Sequence, residues 1–170
     1  MASGPTLDLD GYIAWLEAVQ AHARGGAPAV ATAMAKYIRD RARNDTLQRT
    51  RHPPGAYHRQ RPGEPPAMGS GELIRAMYYK PAYGDLRATA LAGNDSDHGR
   101  IHEFGCVITP KSGPHLGWKD SGRPDNPSGI WRHRFVREKP HPFLSVTTNE
   151  AIADGSLQRV AIEAARPYDP

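Results

Sequence analysis

The chain has 170 residues, 38% of them hydrophobic, with a mean hydropathy of −0.65 and a formal net charge of +4. That length suits one domain, or one domain with an arm, and 16 prolines with 17 glycines imply long irregular stretches ordered by partners and not by an internal core. No apolar run approaches a membrane span and no signal-peptide core is present, so a soluble, unexported protein is expected; the lone Cys106 excludes an internal disulfide and a cysteine-built zinc cage.

The charge is uneven. Residues 35–62 carry +6 and residues 105–140 carry +4, while 1–34, 63–104 and 141–170 carry −2 each. Two basic blocks among acidic stretches imply faces that meet something acidic.

After a loose start over residues 1–6, Leu7 to Ala23 reads as an amphipathic helix. Leu9, Ile13, Leu16 and Gln20 share one side, with Tyr12, Trp15 and Val19 beside them. Gly25-Gly26 is expected to end it, and Pro28 suits the first turn of a second helix running to about Thr46. The apolar line of that helix is Val30, Met34, Tyr37 and Ile38, with Lys36, Arg39, Arg41 and Arg43 on its other faces. Residues 47–68, rich in proline and arginine, read as an extended basic arm without regular structure.

Glu72 to Tyr79 and Leu86 to Ala92 read as two strands of a hairpin joined across residues 81–85. Either Met77 and Tyr79 or Ile74 and Tyr78 face the core, depending on register. Gly93-Asn94-Asp95 should break the second strand. A short helical turn follows over residues 97–104, with Asp97 as its cap, Ile101 and Phe104 on one face and Gly105 as its stop. Residues 109–129 form a long loop with four prolines and four glycines, in which Trp118 marks a brief strand. Ile130 to Arg137 alternates as a strand with Trp131, His133 and Phe135 on one face. Pro140 ends it, and His141-Pro142-Phe143-Leu144 delivers Phe143 and Leu144 into a core just before a last helical region running to about Ala165, with a break near Asp154-Gly155.

These elements predict an α+β fold: N-terminal helices over residues 1–46, the arm over 47–68, and an α+β core over 69–170. In that core a small antiparallel sheet with a hairpin carries the C-terminal helix. Phe104, Gly105, Phe143 and Leu144 are the expected core anchors.

The chemistry of the sequence is sparse. His98 and His102 are four apart with Glu103 adjoining, a spacing that places ligands on one helix face, but Gly99 lies between them. A third ligand would have to come from His115, His133 or His141. Exposed polar histidines, with Glu103 bonding backbone amides, are the better reading. No nucleophile elbow, phosphate-cradling loop or dinucleotide fingerprint is present, and Gly69-Ser70-Gly71 lacks the flanking lysine of a phosphate loop. No catalytic residue, metal or cofactor is assigned, and no enzymatic activity is expected.

Three short motifs come in a fixed order: Gly69-Ser70-Gly71-Glu72-Leu73, then Gly99-Arg100-Ile101-His102-Glu103-Phe104-Gly105, then His141-Pro142-Phe143-Leu144 before a helix. Over roughly residues 69–165 this order resembles the tail-completion, or head–tail joining, family of long-tailed bacteriophages, also described as minor tail components. The chain departs from the family pattern at His98-Gly99, where Tyr-Ala is usual, and at Ser145-Val146-Thr147, where a small, Ala-containing helix start is usual. The resemblance implies a structural virion protein, made in the host bacterial cytoplasm and placed at the junction of tail and neck. It also implies a homo-oligomeric ring, hexameric in that family. The ring would bind a connector or stopper ring on one side and tail terminator or tail-tube proteins on the other, with transient contact with packaged DNA and none with a membrane.

The candidate interface residues are Tyr57, Arg59 and Arg61 in the arm and His115, Trp118, Lys119 and Arg123 in the long loop, since aromatic and arginine side chains anchor interfaces. The competing reading is a basic nucleic-acid-binding protein that uses residues 36–61 on phosphates.

Overall fold

A single helix, α1 (Leu9–Asn44), runs for 36 residues, about 54 Å at the helical rise, and the rest of the described chain is arranged along it. The structure is a computed structural model that describes residues 9–50, 64–66, 71–81, 87–119 and 130–168. The α+β class holds, with a long N-terminal helix, small antiparallel sheets and C-terminal helices.

The expected break at Gly25-Gly26 does not occur. A Cβ on Gly25 would lie 2.7 Å from the Tyr168 ring, and one on Gly26 would meet the same side chain at 3.3 Å. The two glycines therefore make room for an aromatic ring against the helix instead of ending it. Pro28 sits inside α1, removing one helical N–H, and the packing of both halves carries the helix through it.

α1 ends in a 3₁₀ turn, Thr46–Gln48, in which Thr46 and Leu47 are fully buried. Leu47 thus belongs to the core and not to an arm. The described ends of the 47–68 stretch are tied down: Thr50 Oγ1 donates to the Pro66 carbonyl at 2.7 Å, and Pro66 is itself buried.

Helix α2 (Glu72–Arg75) occupies the start of the first expected strand, and Leu73 is buried beneath it. Strand β1 (Met77–Lys80) pairs antiparallel with β2 (Leu91–Asn94) in the register Met77↔Asn94, Tyr78↔Gly93. Met77 is the residue that faces the core. Gly93 does not break β2: the Tyr78 ring lies across it, 2.6 Å from where a Cβ would stand. Asn94 then bridges elements, its Nδ2 donating to the Leu73 carbonyl at 2.7 Å and its Oδ1 accepting from Ser96. That oxygen fills the space a Cβ on Gly99 would need, at 2.6 Å, so a side chain there would have to displace it.

Helix α3 (Gly99–Phe104) is flanked by His98 and has no side-chain cap, so Asp97 is not its cap. Strand β3 (Cys106–Ile108) pairs antiparallel with β6 (Val136–Glu138), and β4 (Leu116–Lys119) pairs antiparallel with β5 (Ile130–His133). The expected strand over 130–137 is thus two strands that serve different ribbons, and among the described residues the sheet is three separate two-stranded ribbons.

The last helical region is α4 (Leu144–Ala153) and α5 (Ser156–Ala165), divided at Gly155 with φ +69°, followed by a 3₁₀ turn at Arg166–Tyr168. Both helices pack chiefly on α1 and on each other, not on a sheet, because α1 offers a continuous partner whereas no ribbon is wide enough to cover a helix. The core gathers Ala42, Leu47, Leu73, Met77 and Phe143, with Ile74 and Leu144 packed against it. It lies at the C-terminal end of α1.

Candidate assembly surfaces

The motif residues meet at the start of α4. Phe143 flanks that helix and its side chain cannot cap it. Glu103, from the end of α3, supplies the missing acceptor. One carboxylate oxygen accepts from the amides of Phe143 at 2.9 Å and Leu144 at 3.0 Å; the other accepts from the amide of Ser145 at 2.9 Å and its hydroxyl at 2.6 Å. Partial burial pushes the Glu103 carboxyl pKa up, but the Ser145 hydroxyl and the three amides outweigh it and hold it below its ordinary value. The charge also sits at the positive end of α4.

Gly105 turns the chain directly after the clamp, at φ +69°. A Cβ there would approach the Glu138 carbonyl to 2.7 Å. The consequence for Phe104 reverses the sequence expectation. It is 72% exposed and is no core anchor, because Glu103 points toward α4 and turns its neighbour outward. Phe143 is fully buried and Leu144 partly so.

Behind the clamp lie two histidines. The His141 amide donates to the His102 carbonyl at 2.6 Å, and the two rings meet edge-on at 6.4 Å. His141 Nδ1 is 3.1 Å from the Glu64 carbonyl, which can only accept, so Nδ1 carries the proton. His102 Nδ1 is buried without a hydrogen-bond partner among the described residues. Burial lowers the His102 pKa, against Glu138, which raises it, and with His141 and His98, which lower it. His98 and His102 do not form a ligand set: among the described residues no group of three His, Cys, Asp or Glu is placed to hold a metal ion.

Arg39 and Arg41 of the basic helix face, and Arg49 beyond its end, are engaged. Arg41 Nη1 donates to Asp154 at 2.7 Å and to the Ser156 hydroxyl at 2.9 Å, holding the α4–α5 break against α1. Arg49 grips both oxygens of Glu150, at 2.6 and 2.8 Å, and also Asp45. The Asp154 carboxyl is held well below the usual carboxylate range by the Ser156 hydroxyl and amide and by Arg41. Arg39 lies over the Tyr79 ring, 4.7 Å from its centroid.

Of the residues expected at interfaces, Tyr57, Arg59, Arg61 and Arg123 lie outside the described residues. His115 is exposed just before β4, and Trp118 and Lys119 lie in β4, paired with Trp131 and Ile130.

Two exposed apolar surfaces were not singled out from sequence. In α1, residues 11–18 are exposed on all sides, with Tyr12, Ile13, Trp15 and Leu16 all at least 43% exposed and the Tyr12 and Trp15 rings stacked at 5.9 Å. Amphipathic spacing found the residues but not what they face; no sequence signal says that the body stops short of them. The second surface is the β3–β6 ribbon, where Val107, Ile108 and Phe135 are exposed alongside Phe104. Among the described residues no helix is long and apolar enough to cross a membrane. No family model, curated protein or solved structure matches the chain.

Proposed function

We propose that the chain is a structural, ring-forming subunit of the head–tail junction of a long-tailed bacteriophage, a tail-completion protein that links the neck connector to the tail. The observation that supports this most is the Glu103 clamp. Two of the three motifs that carry the family resemblance, those around Glu103 and around Phe143-Leu144, form one hydrogen-bonded unit. Sequence matches that arose separately by chance would have no reason to meet in this way.

The exposed apolar surfaces fit the same reading. Neighbouring large apolar side chains exposed together, as at Tyr12, Ile13, Trp15 and Leu16, suit an interface with a partner. The role is assembly, with no reaction assigned. The partners are further copies of the chain, a connector or stopper ring, and a tail terminator or tail-tube protein.

The nucleic-acid reading has less support. It relies on residues 36–61, and within that block Arg41 and Arg49 are paired with Asp154, Glu150 and Asp45. Phosphate binding by those two residues would have to displace the carboxylates.

Antibody labelling of purified virions tests the proposal. Label at the neck, between head and tail, is expected. Virions free of the protein, or label spread over the capsid, would refute it.

A further inference from the structure

The spur of α1 and the β3–β6 ribbon are both apolar, both exposed and different from each other. The spur is residues 11–18, ahead of Val19 and His22, where the helix first meets the C-terminal segment; His22 Nδ1 lies 3.0 Å from the Tyr168 carbonyl. In the ribbon, Val107 stands opposite Arg137 and Ile108 opposite Val136. Successive strand residues point to opposite faces, so exposed apolar side chains occur on both faces of the ribbon.

Their charges are opposite. The spur belongs to a stretch of net −2, residues 1–34, and Glu17 is exposed on it. Beside the ribbon's Glu138 stand Arg137 in β6 and Arg134 and Lys139 at its ends, all three exposed, so residues 134–139 carry +2.

We propose that the α1 spur of one copy docks on the β3–β6 ribbon of the next copy, head to tail. This rests on the reading of the chain as a ring subunit and names the surfaces that make the ring. Pairing spur with spur, or ribbon with ribbon, would bring like charges together. Pairing unlike patches sets acid against base and buries Tyr12, Trp15 and Phe135, aromatic types that anchor interfaces, together with Val107. An interface between unlike patches is heterologous: it leaves one spur and one ribbon free at every addition until the assembly closes.

The test uses the full chain and two variants, Trp15→Asp and Val107→Asp, with mass measured in solution by sedimentation or mass photometry. Wild-type protein forms oligomers larger than a dimer. Each variant alone is monomeric, with a melting temperature within a few degrees of wild type, because both positions are exposed. Mixed, the two variants form a 1:1 heterodimer that grows no further, since the mixture holds one intact spur and one intact ribbon per pair. The double charge reversal Glu17→Arg with Arg137→Glu, milder to the fold, restores association that either reversal alone weakens. A monomeric wild type, or variants that stay monomeric on mixing, overturns the proposal. So does a Val107→Asp protein that still assembles. A wild type that self-associates this way in a phage whose heads and tails join without it would leave this interface standing and remove the functional reading; the reverse result would do the opposite.

Discussion

The Glu103 carboxylate takes hydrogen bonds from the Phe143 amide, 40 residues later, and from the next two amides, so that one acidic side chain caps the helix that carries the core aromatic. Replacing it by glutamine swaps an acceptor oxygen for a donor that faces an N–H. Glu103→Gln should cost about 1–2 kcal/mol, because the Phe143 and Leu144 bonds are only part-buried and the Ser145 bonds are exposed. Denaturant titration reads this directly; a cost under about 0.5 kcal/mol would mean that water replaces the clamp.

The clamp also sets a pH dependence. The folded-state pKa of Glu103 lies below its ordinary 4.5, so the unfolded chain binds the extra proton first. Its contribution is fully present above about pH 4.5 and is lost as the pH falls through the folded value. His102, lowered from 6.5 mainly by burial, acts in the same direction at higher pH: the unfolded chain protonates first, and stability drops as the pH falls below 6.5. Melting temperature against pH should therefore decline in two stages. His102→Gln should remove the upper stage and Glu103→Gln should diminish the lower one.

The two phenylalanines at the joined motifs should behave differently. Phe143→Ala opens a cavity at a fully buried site and should cost about 3–5 kcal/mol. Phe104→Ala, at an exposed site, should stay within about 0.5 kcal/mol. Equal costs in equilibrium unfolding would contradict the arrangement.

A buried hydroxyl pair offers a finer test. Thr147 Oγ1 donates to the Phe143 carbonyl at 2.6 Å, so its single proton is committed. The 2.7 Å contact between Thr46 and Thr147 must then be donated by Thr46. Thr147→Val strands the Thr46 proton and should cost about 1–3 kcal/mol. Thr46→Val leaves only an acceptor unfilled and should cost less. The reverse order would mean that the proton assignment is wrong.

The sequence carried the class of the fold and the packing of Phe143, because apolar spacing and proline punctuation are local signals. It also carried the bonding of Glu103 to backbone amides, though not which amides. It missed what depends on distant partners. Gly25-Gly26 has the chemistry of a helix stop and becomes a seat for Tyr168, 143 positions away from Gly25, so no local signal could reveal it. Phe104 has the pattern of a core residue, and its exposure follows from where Glu103 must point. Leu47 lies at the head of a stretch rich in proline and arginine and packs into the core all the same. The candidate surfaces were the least legible: a spaced apolar row on a helix looks the same whether it faces its own core or another molecule.

The central claim, that this chain joins heads to tails, is tested most directly by electron microscopy of a lysate in which its gene carries a stop codon. The account predicts filled heads and finished tails lying unattached, with joined particles restored when the intact chain is supplied from a plasmid. Joined, infectious particles in the unsupplemented lysate would contradict it.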